Sequence, residues 1–154
     1  MKLYTRINQI ILSLVICSTS LLITVLYFQH VLNLLPCKLC LWQRAPHGII
    51  IIIGLLILNF RSFRLVGSVV CTLTMISSSI LAGYHVGIEY GFWSGPQSCS
   101  SITDLTTLSA DLFLEAVLSA PIIRCDDVSW SFLRISMAGW NFIFSSLLTG
   151  FWSL

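Results

Sequence analysis

The sequence predicts an all-α membrane protein, a four-transmembrane-helix bundle with a short amphipathic helix in its second outer loop. Three observations predict it. Hydrophobic residues make up 56% of the 154 residues and charged residues only 9%, against about 25% charged in a typical soluble domain. The chain therefore lacks the polar coat that water demands, and membrane lipid is its expected surroundings. Apolar stretches long enough to cross a bilayer alternate with polar segments. The basic residues of the short flanks gather on one side. The length suits a single membrane domain over 1–154. A formal net charge of +2 is too small to suggest nucleic acid as a partner.

The first span is expected at about 10–29. No Asp, Glu, Lys or Arg occurs from Ile7 to Cys37, and the apolar run exceeds the roughly 7–15 residues of a signal-peptide core. No small-residue cleavage site ends it, so it is a permanent span. The second, about 45–60, lies between Arg44 and Arg61 with 16 residues between them. That is short for a crossing, so its helix starts near Arg44 with Pro46 in the first turn, or after Pro36 with a kink at Pro46. The third, about 65–84, follows a very short turn. Ser79, Gly83 and Gly87 recur in it at four-residue spacing, which lets helices approach closely in lipid. The fourth, about 135–154, is free of charge, and the chain ends with it.

The loops are about 30–44 and 85–134. The second holds all six acidic residues. Within it Leu105, Leu108, Leu112 and Ala116 recur at helical spacing, the pattern of a short amphipathic helix. Lys2, Arg6, Arg61 and Arg64 fall on one side with no acidic residue among them. The positive-inside rule makes that side cytoplasmic, with both termini there. The cysteine loops then face an oxidising periplasm, where disulfides persist. A bacterial inner membrane is the expected location.

Of six cysteines, Cys17 and Cys71 lie inside spans and read as small hydrophobes. Cys37 and Cys40 form a Cys-x-x-Cys pair, a spacing that closes a small ring and often carries a depressed thiol pKa. Arg44 follows four residues after Cys40. On a helix it shares their face, and a cationic donor beside a thiolate at lipid depth suits a developing anion such as a reduced quinone oxygen. The plainer reading of Arg44 is a snorkelling anchor, and Lys38 reads as a solvated charge. Cys99 and Cys125 lie 26 positions apart in polar sequence. They form a structural disulfide or a second redox pair that exchanges with the first. Zinc on four cysteines is disfavoured, because only one pair is closely spaced. His30, His47 and His85 read as interfacial packing or hydrogen-bonding groups. Glu89 is a weak candidate for proton transfer.

The stretches Tyr27-Phe28-Gln29-His30-Val31, Leu35-Pro36-Cys37-Lys38-Leu39-Cys40 and Gln43-Arg44 resemble the bacterial disulfide bond formation protein B family, DsbB. So do Ala82-Gly83-Tyr84-His85, Arg124-Cys125-Asp126 and Ser136-Met137-Ala138-Gly139-Trp140-Asn141. The resemblance covers nearly the whole chain. It implies an oxidoreductase that reoxidises a DsbA-like periplasmic thioredoxin-fold protein and passes two electrons to ubiquinone or menaquinone. By that resemblance Cys99 meets the partner, Cys125 exchanges with Cys37, Cys40 faces the quinone and Arg44 binds its oxygen. The chain departs from the family in lacking the usual cytoplasmic C-terminal tail and in carrying Cys17 and Cys71. Two other readings stand beside it. One is a relative of vitamin K epoxide reductase, whose quinone-facing pair lies late in the chain rather than early. The other is a non-enzymatic membrane protein with two structural disulfides.

Overall fold

The computed structural model describes residues 2–96 and 124–153, and their side chains from residue 6 onward. The protein is mostly helical. Helix α1 runs Lys2–His30, α2 Lys38–Trp42, α3 Arg44–Asn59, α4 Arg64–Glu89 and α5 Met137–Trp152. A 3-10 turn, Arg61–Phe63, joins α3 to α4, and a two-stranded hairpin, β1 Ser131–Phe132 with β2 Ile135–Ser136, leads into α5. Among the described residues, three passages are long and apolar enough to cross a membrane: Arg6–His30, Lys38–Asn59 and Arg61–Glu89.

Both expectations for the second span hold a part of the answer. The helix begins directly after Cys37 and is interrupted at Gln43, three residues before Pro46. Pro46 has no N–H to offer the carbonyl of Trp42, and its ring crowds that carbonyl. Within the expected loop at 30–44, Lys38–Trp42 is helical. Helix α4 continues to Glu89, so His85 and Glu89 are helical. The predicted amphipathic helix and Cys99 lie outside the described residues. At 16 residues, α5 is about 24 Å long at 1.5 Å per residue, short of the roughly 30 Å hydrocarbon core.

Helix α4 packs mainly on α5 and on α3, and α3 packs on α1. The core runs through Ile11, Leu14, Ile50, Ile57, Cys71, Met75, Leu148 and Trp152. Cys71 is fully buried in it and Cys17 packs against it, as small hydrophobes do. Close approach follows from small residues. A Cβ at Gly54 would collide with Val15 of α1, and one at Gly83 would press on Phe142 of α5 at 3.2 Å. The expected Ser79–Gly83–Gly87 stripe is only partly an interhelical seam, because Gly87 instead makes room for the Trp93 indole. Between α4 and α5 the polar contacts do the joining: Ser78 with Ser145 at 3.0 Å, Ser79 with Ser146 at 2.7 Å, and Thr72 donating to the Trp152 carbonyl at 3.0 Å. In lipid each such bond contributes about 0.6 kcal/mol. Outward, Ile23, Ile52, Leu73 and Ile80 are exposed, a surface suited to acyl chains.

The two ends of the bundle differ. At one end Arg64 donates to Asn8 at 2.6 Å, tying the α3–α4 turn to the start of α1. At the other, Ser136 caps α5 by accepting from the Gly139 N–H at 3.0 Å, while its hydroxyl donates to Glu89 at the end of α4.

Candidate active site

The cysteine end is built from the junctions of the helices. Cys37 is the N-cap of α2, and its sulfur accepts from the Cys40 N–H at 3.1 Å. An N-cap position suits an anion, because the first-turn N–H groups point at it. Cys37 is buried, 4% exposed, in a cluster with Leu39, Ile88 and Cys125, and Cys40 packs against that cluster. Cys37 and Cys40 are both free thiols, whereas Cys125 is disulfide-bonded. The structure therefore brings three of the four expected cysteines together; the fourth, Cys99, lies outside the described residues.

Sequence reasoning missed His85. It reads from the sequence as an interfacial packing or hydrogen-bonding group with no named partner, and the last turns of α4 carry it to the sulfur: His85 Nε2 stands 3.6 Å from Cys37 Sγ. The Cys125 main chain also bonds its ring. A signal was present in the residue type, since imidazole is the usual partner of a reactive thiol, but the 48 positions between them hid the pairing.

A chain of hydrogen bonds continues from His85 across the bundle. Asn141 Nδ2 donates to Gln43 Oε1 at 3.1 Å, so the other end of the Gln43 amide, Nε2, donates to His85 Nδ1 at 3.2 Å. His85 then carries its proton on Nε2, aimed at Cys37. Asn141 Oδ1 accepts from His47 Nε2 at 3.0 Å and from the Ser145 hydroxyl at 3.2 Å. From His47 to Asn141 to Gln43 to His85 to Cys37, each side chain donates to the next. His47 Nδ1 is left buried with no partner among the described residues.

Cys37 titrates far from its ordinary value of 9.0, pulled down to about 5. The largest cause is the Cys40 thiol, which donates to it. Burial opposes this, and the His85 ring and the Cys40 N–H add to the lowering. Cys37 is thus the thiolate of the pair at neutral pH.

Two cavities flank the cysteines. One, about 370 Å³, is lined by Cys40, Gln43, Arg44, His47 and Asn141 at one wall and by rings at the others. Phe28, Trp130, Phe132, Trp140 and Phe144 follow one another at centroid distances of 4.8, 6.2, 6.3 and 5.9 Å. The hairpin supplies Phe132, and its carbonyl accepts from the Trp140 indole at 3.2 Å. Arg44 is half-buried at this wall and held by Gln29 of α1, to which its Nη1 donates at 2.5 Å. The second cavity, about 350 Å³, lies beside Cys125 and is lined also by Ser94, Arg124 and Asp126. Lys38 is exposed, as a solvated charge should be.

The family model described as "Disulfide bond formation protein DsbB" matches residues 7–154. The chain belongs to the DsbB family. Curated relatives agree. A disulfide bond formation protein B of Mannheimia succiniciproducens is 34% identical over 80% of this chain and 72% of its own length. Another, of Histophilus somni, is 31% identical over 91% and 77%. An uncharacterized protein of Rickettsia prowazekii is 29% identical over 98% and 87%. No solved structure matches the chain significantly. As a DsbB-family member this protein is a membrane oxidoreductase that forms disulfide bonds, and its three apolar passages accord with that family.

Proposed function

We propose that this DsbB-family protein carries electrons from a DsbA-like periplasmic thioredoxin-fold protein to ubiquinone or menaquinone in the bacterial inner membrane. The observation that carries the reading is the position of the cysteine cluster between two unlike cavities. One is polar and borders Cys125. The other is walled by aromatic rings and borders Cys40 and Arg44. The polar cavity suits the approach of a soluble thiol, and the aromatic one suits a flat apolar ring.

The electron balance is closed by two exchanges. A reduced partner dithiol gives two electrons to the Cys99–Cys125 disulfide, Cys99 forming the mixed disulfide and the partner leaving oxidised. The resulting Cys99–Cys125 dithiol reduces a Cys37–Cys40 disulfide, with Cys125 attacking Cys37. The Cys37–Cys40 dithiol then yields two electrons and two protons to the quinone, which leaves as hydroquinone, and the disulfide is restored. Cys37 is the better thiolate, so it is the nucleophile that closes the disulfide onto Cys40 as Cys40 gives its electrons to the ring. The Arg44 guanidinium, oriented by Gln29, donates to the oxygen on which negative charge develops. Residues 1–154 act as one membrane domain, with about 135–154, which extends beyond α5 at both ends, as the fourth span and both termini cytoplasmic.

The test is quinone reduction by purified protein supplied with reduced partner, followed spectroscopically. Cys40→Ser abolishes quinone reduction yet still permits a mixed disulfide through Cys99. Normal turnover in Cys40→Ser would remove Cys40 as the terminal donor. Absence of any mixed disulfide would reduce both pairs to structural bridges.

A further inference from the structure

The three donor atoms Cys37 Sγ, Cys40 Sγ and a ring nitrogen of His85 lie within 4.8 Å of one another. Two thiolates and an imidazole are the donor set that zinc prefers, and three protein ligands with one open position is the pattern of an exchangeable site. One of the three spacings already has the distance a bound ion would set. Zn–S of about 2.3 Å and Zn–N of about 2.0–2.1 Å at a tetrahedral angle put sulfur and nitrogen about 3.5–3.6 Å apart. Cys37 Sγ and His85 Nε2 stand 3.6 Å apart. Charge fits too: a divalent ion with two thiolates and a neutral imidazole has no net charge, the condition for burial at a membrane edge. Of the three donors, Cys40 lines the aromatic cavity.

We propose that Cys37, Cys40 and His85 form a redox-gated site for a zinc-class divalent ion. Only the reduced pair binds: one ion is taken up and any proton still held by either sulfur is released, with no change of oxidation state. The disulfide form has no thiolate to offer and does not bind.

Ligation by His85 Nε2 moves its proton to Nδ1, and the hydrogen-bond chain accommodates this. Metal-bound imidazoles commonly donate their other N–H to an oxygen. Turning the Gln43 amide presents Oε1 to that proton. Asn141 turns in step and donates Nδ2 to His47 Nε2, which shifts its proton to Nδ1. The amides and imidazoles read equally well in this reversed direction once the Ser145 hydroxyl, which then faces Asn141 Nδ2, turns from donating to accepting. A loaded site leaves neither sulfur free for exchange, so zinc halts turnover and a chelator restores it. That consequence rests on the relay reading; the binding itself does not.

The test uses full-length protein in detergent with Co2+ as a spectroscopic substitute for Zn2+, and needs neither quinone nor partner. The reduced protein is expected to take up one Co2+ per chain, with sulfur-to-metal charge transfer and tetrahedral d–d bands. Both vanish once Cys37 and Cys40 are oxidised. His85→Gln weakens binding by at least the roughly tenfold that even an outer-shell loss costs. Cys17→Ser and Cys71→Ser leave it unchanged. Absence of binding, binding that persists after oxidation, or unaltered affinity in His85→Gln overturns the site. X-ray absorption on the zinc-loaded natural sequence decides without a variant: two sulfurs and at least one nitrogen support it, and a shell of sulfur alone or without sulfur overturns it.

Discussion

At the scale of single residues, the position of Cys37 at a helix start decides its chemistry. Its thiolate accepts from the Cys40 thiol and the Cys40 N–H and faces His85. Its pKa is lowered, so the thiolate is already complete at neutral pH and is lost only as pH falls through about 5. In reduced protein carrying Cys40→Ser, which keeps a hydroxyl donor, alkylation of Cys37 by a small reagent is expected to stay fast at pH 7 and to decline toward pH 5. Cys40→Ala, which deletes the donor with the largest effect, moves that midpoint upward; a midpoint unmoved from the ordinary thiol range in Cys40→Ser would contradict the geometry. Arg44 acts through a different physics. It is held by Gln29, and a hydrogen bond to a charged group contributes about 1.5–3 kcal/mol. Arg44→Ala should therefore lower kcat/KM for quinone by about 10–100-fold, while mixed-disulfide formation at Cys99 stays unchanged. Loss of both together would mean that Arg44 supports the fold rather than the quinone.

At the scale of elements, small residues and strained turns set the local geometry. Gly54 lets α3 lie against Val15 of α1. Gly54→Leu inserts bulk where a Cβ already collides, so it should cost about 1–3 kcal/mol, read as a lower thermal midpoint in detergent. An unchanged midpoint would show that the two helices separate freely. The hairpin turn is under the opposite kind of demand. Leu133 and Arg134 have φ of 54° and 65° in a two-residue loop, the type I′ geometry for which Asn-Gly is the usual choice. Each left-handed non-glycine residue costs about 1 kcal/mol or more. Arg134→Gly is expected to raise stability by roughly that much, less the flexibility that glycine adds to the unfolded chain. A fall in the thermal midpoint would show that the exposed Arg134 side chain contributes more than its backbone strain costs. The hairpin matters beyond itself, since it sets Phe132 against Trp140 in the aromatic cavity.

At the scale of the whole molecule, the helical passages were legible because lipid imposes one rule over long stretches, the absence of charge. Cys37, Cys40 and Arg44 stand out in the sequence because they are neighbours in it. What stayed hidden joins distant positions. His85 reaches Cys37, and Asn141 reaches Gln43 and His47, only because α4 and α5 pack where they do. No local periodicity records that. The break at Gln43 was half legible, since Pro46 announced a disturbance without fixing its place. The molecule's polarity follows from the same packing. Arg64 meets Asn8 at one end, and Cys37 meets His85 at the other. Between them α4 has 26 residues, about 39 Å at 1.5 Å per residue, enough to cross a roughly 30 Å core. One end must then lie on each side of the membrane. In the orientation proposed above, the arginines of the α3–α4 turn lie in the cytoplasm and the cysteines outside. Lys38 and Ser62 are exposed at the two ends, so each can carry a reporter in a background without native cysteines. Lys38→Cys should react with a membrane-impermeant maleimide on cells whose inner membrane is intact, and Ser62→Cys only after that membrane is opened. The reverse pattern would turn the bundle over and separate the thiols from any periplasmic partner.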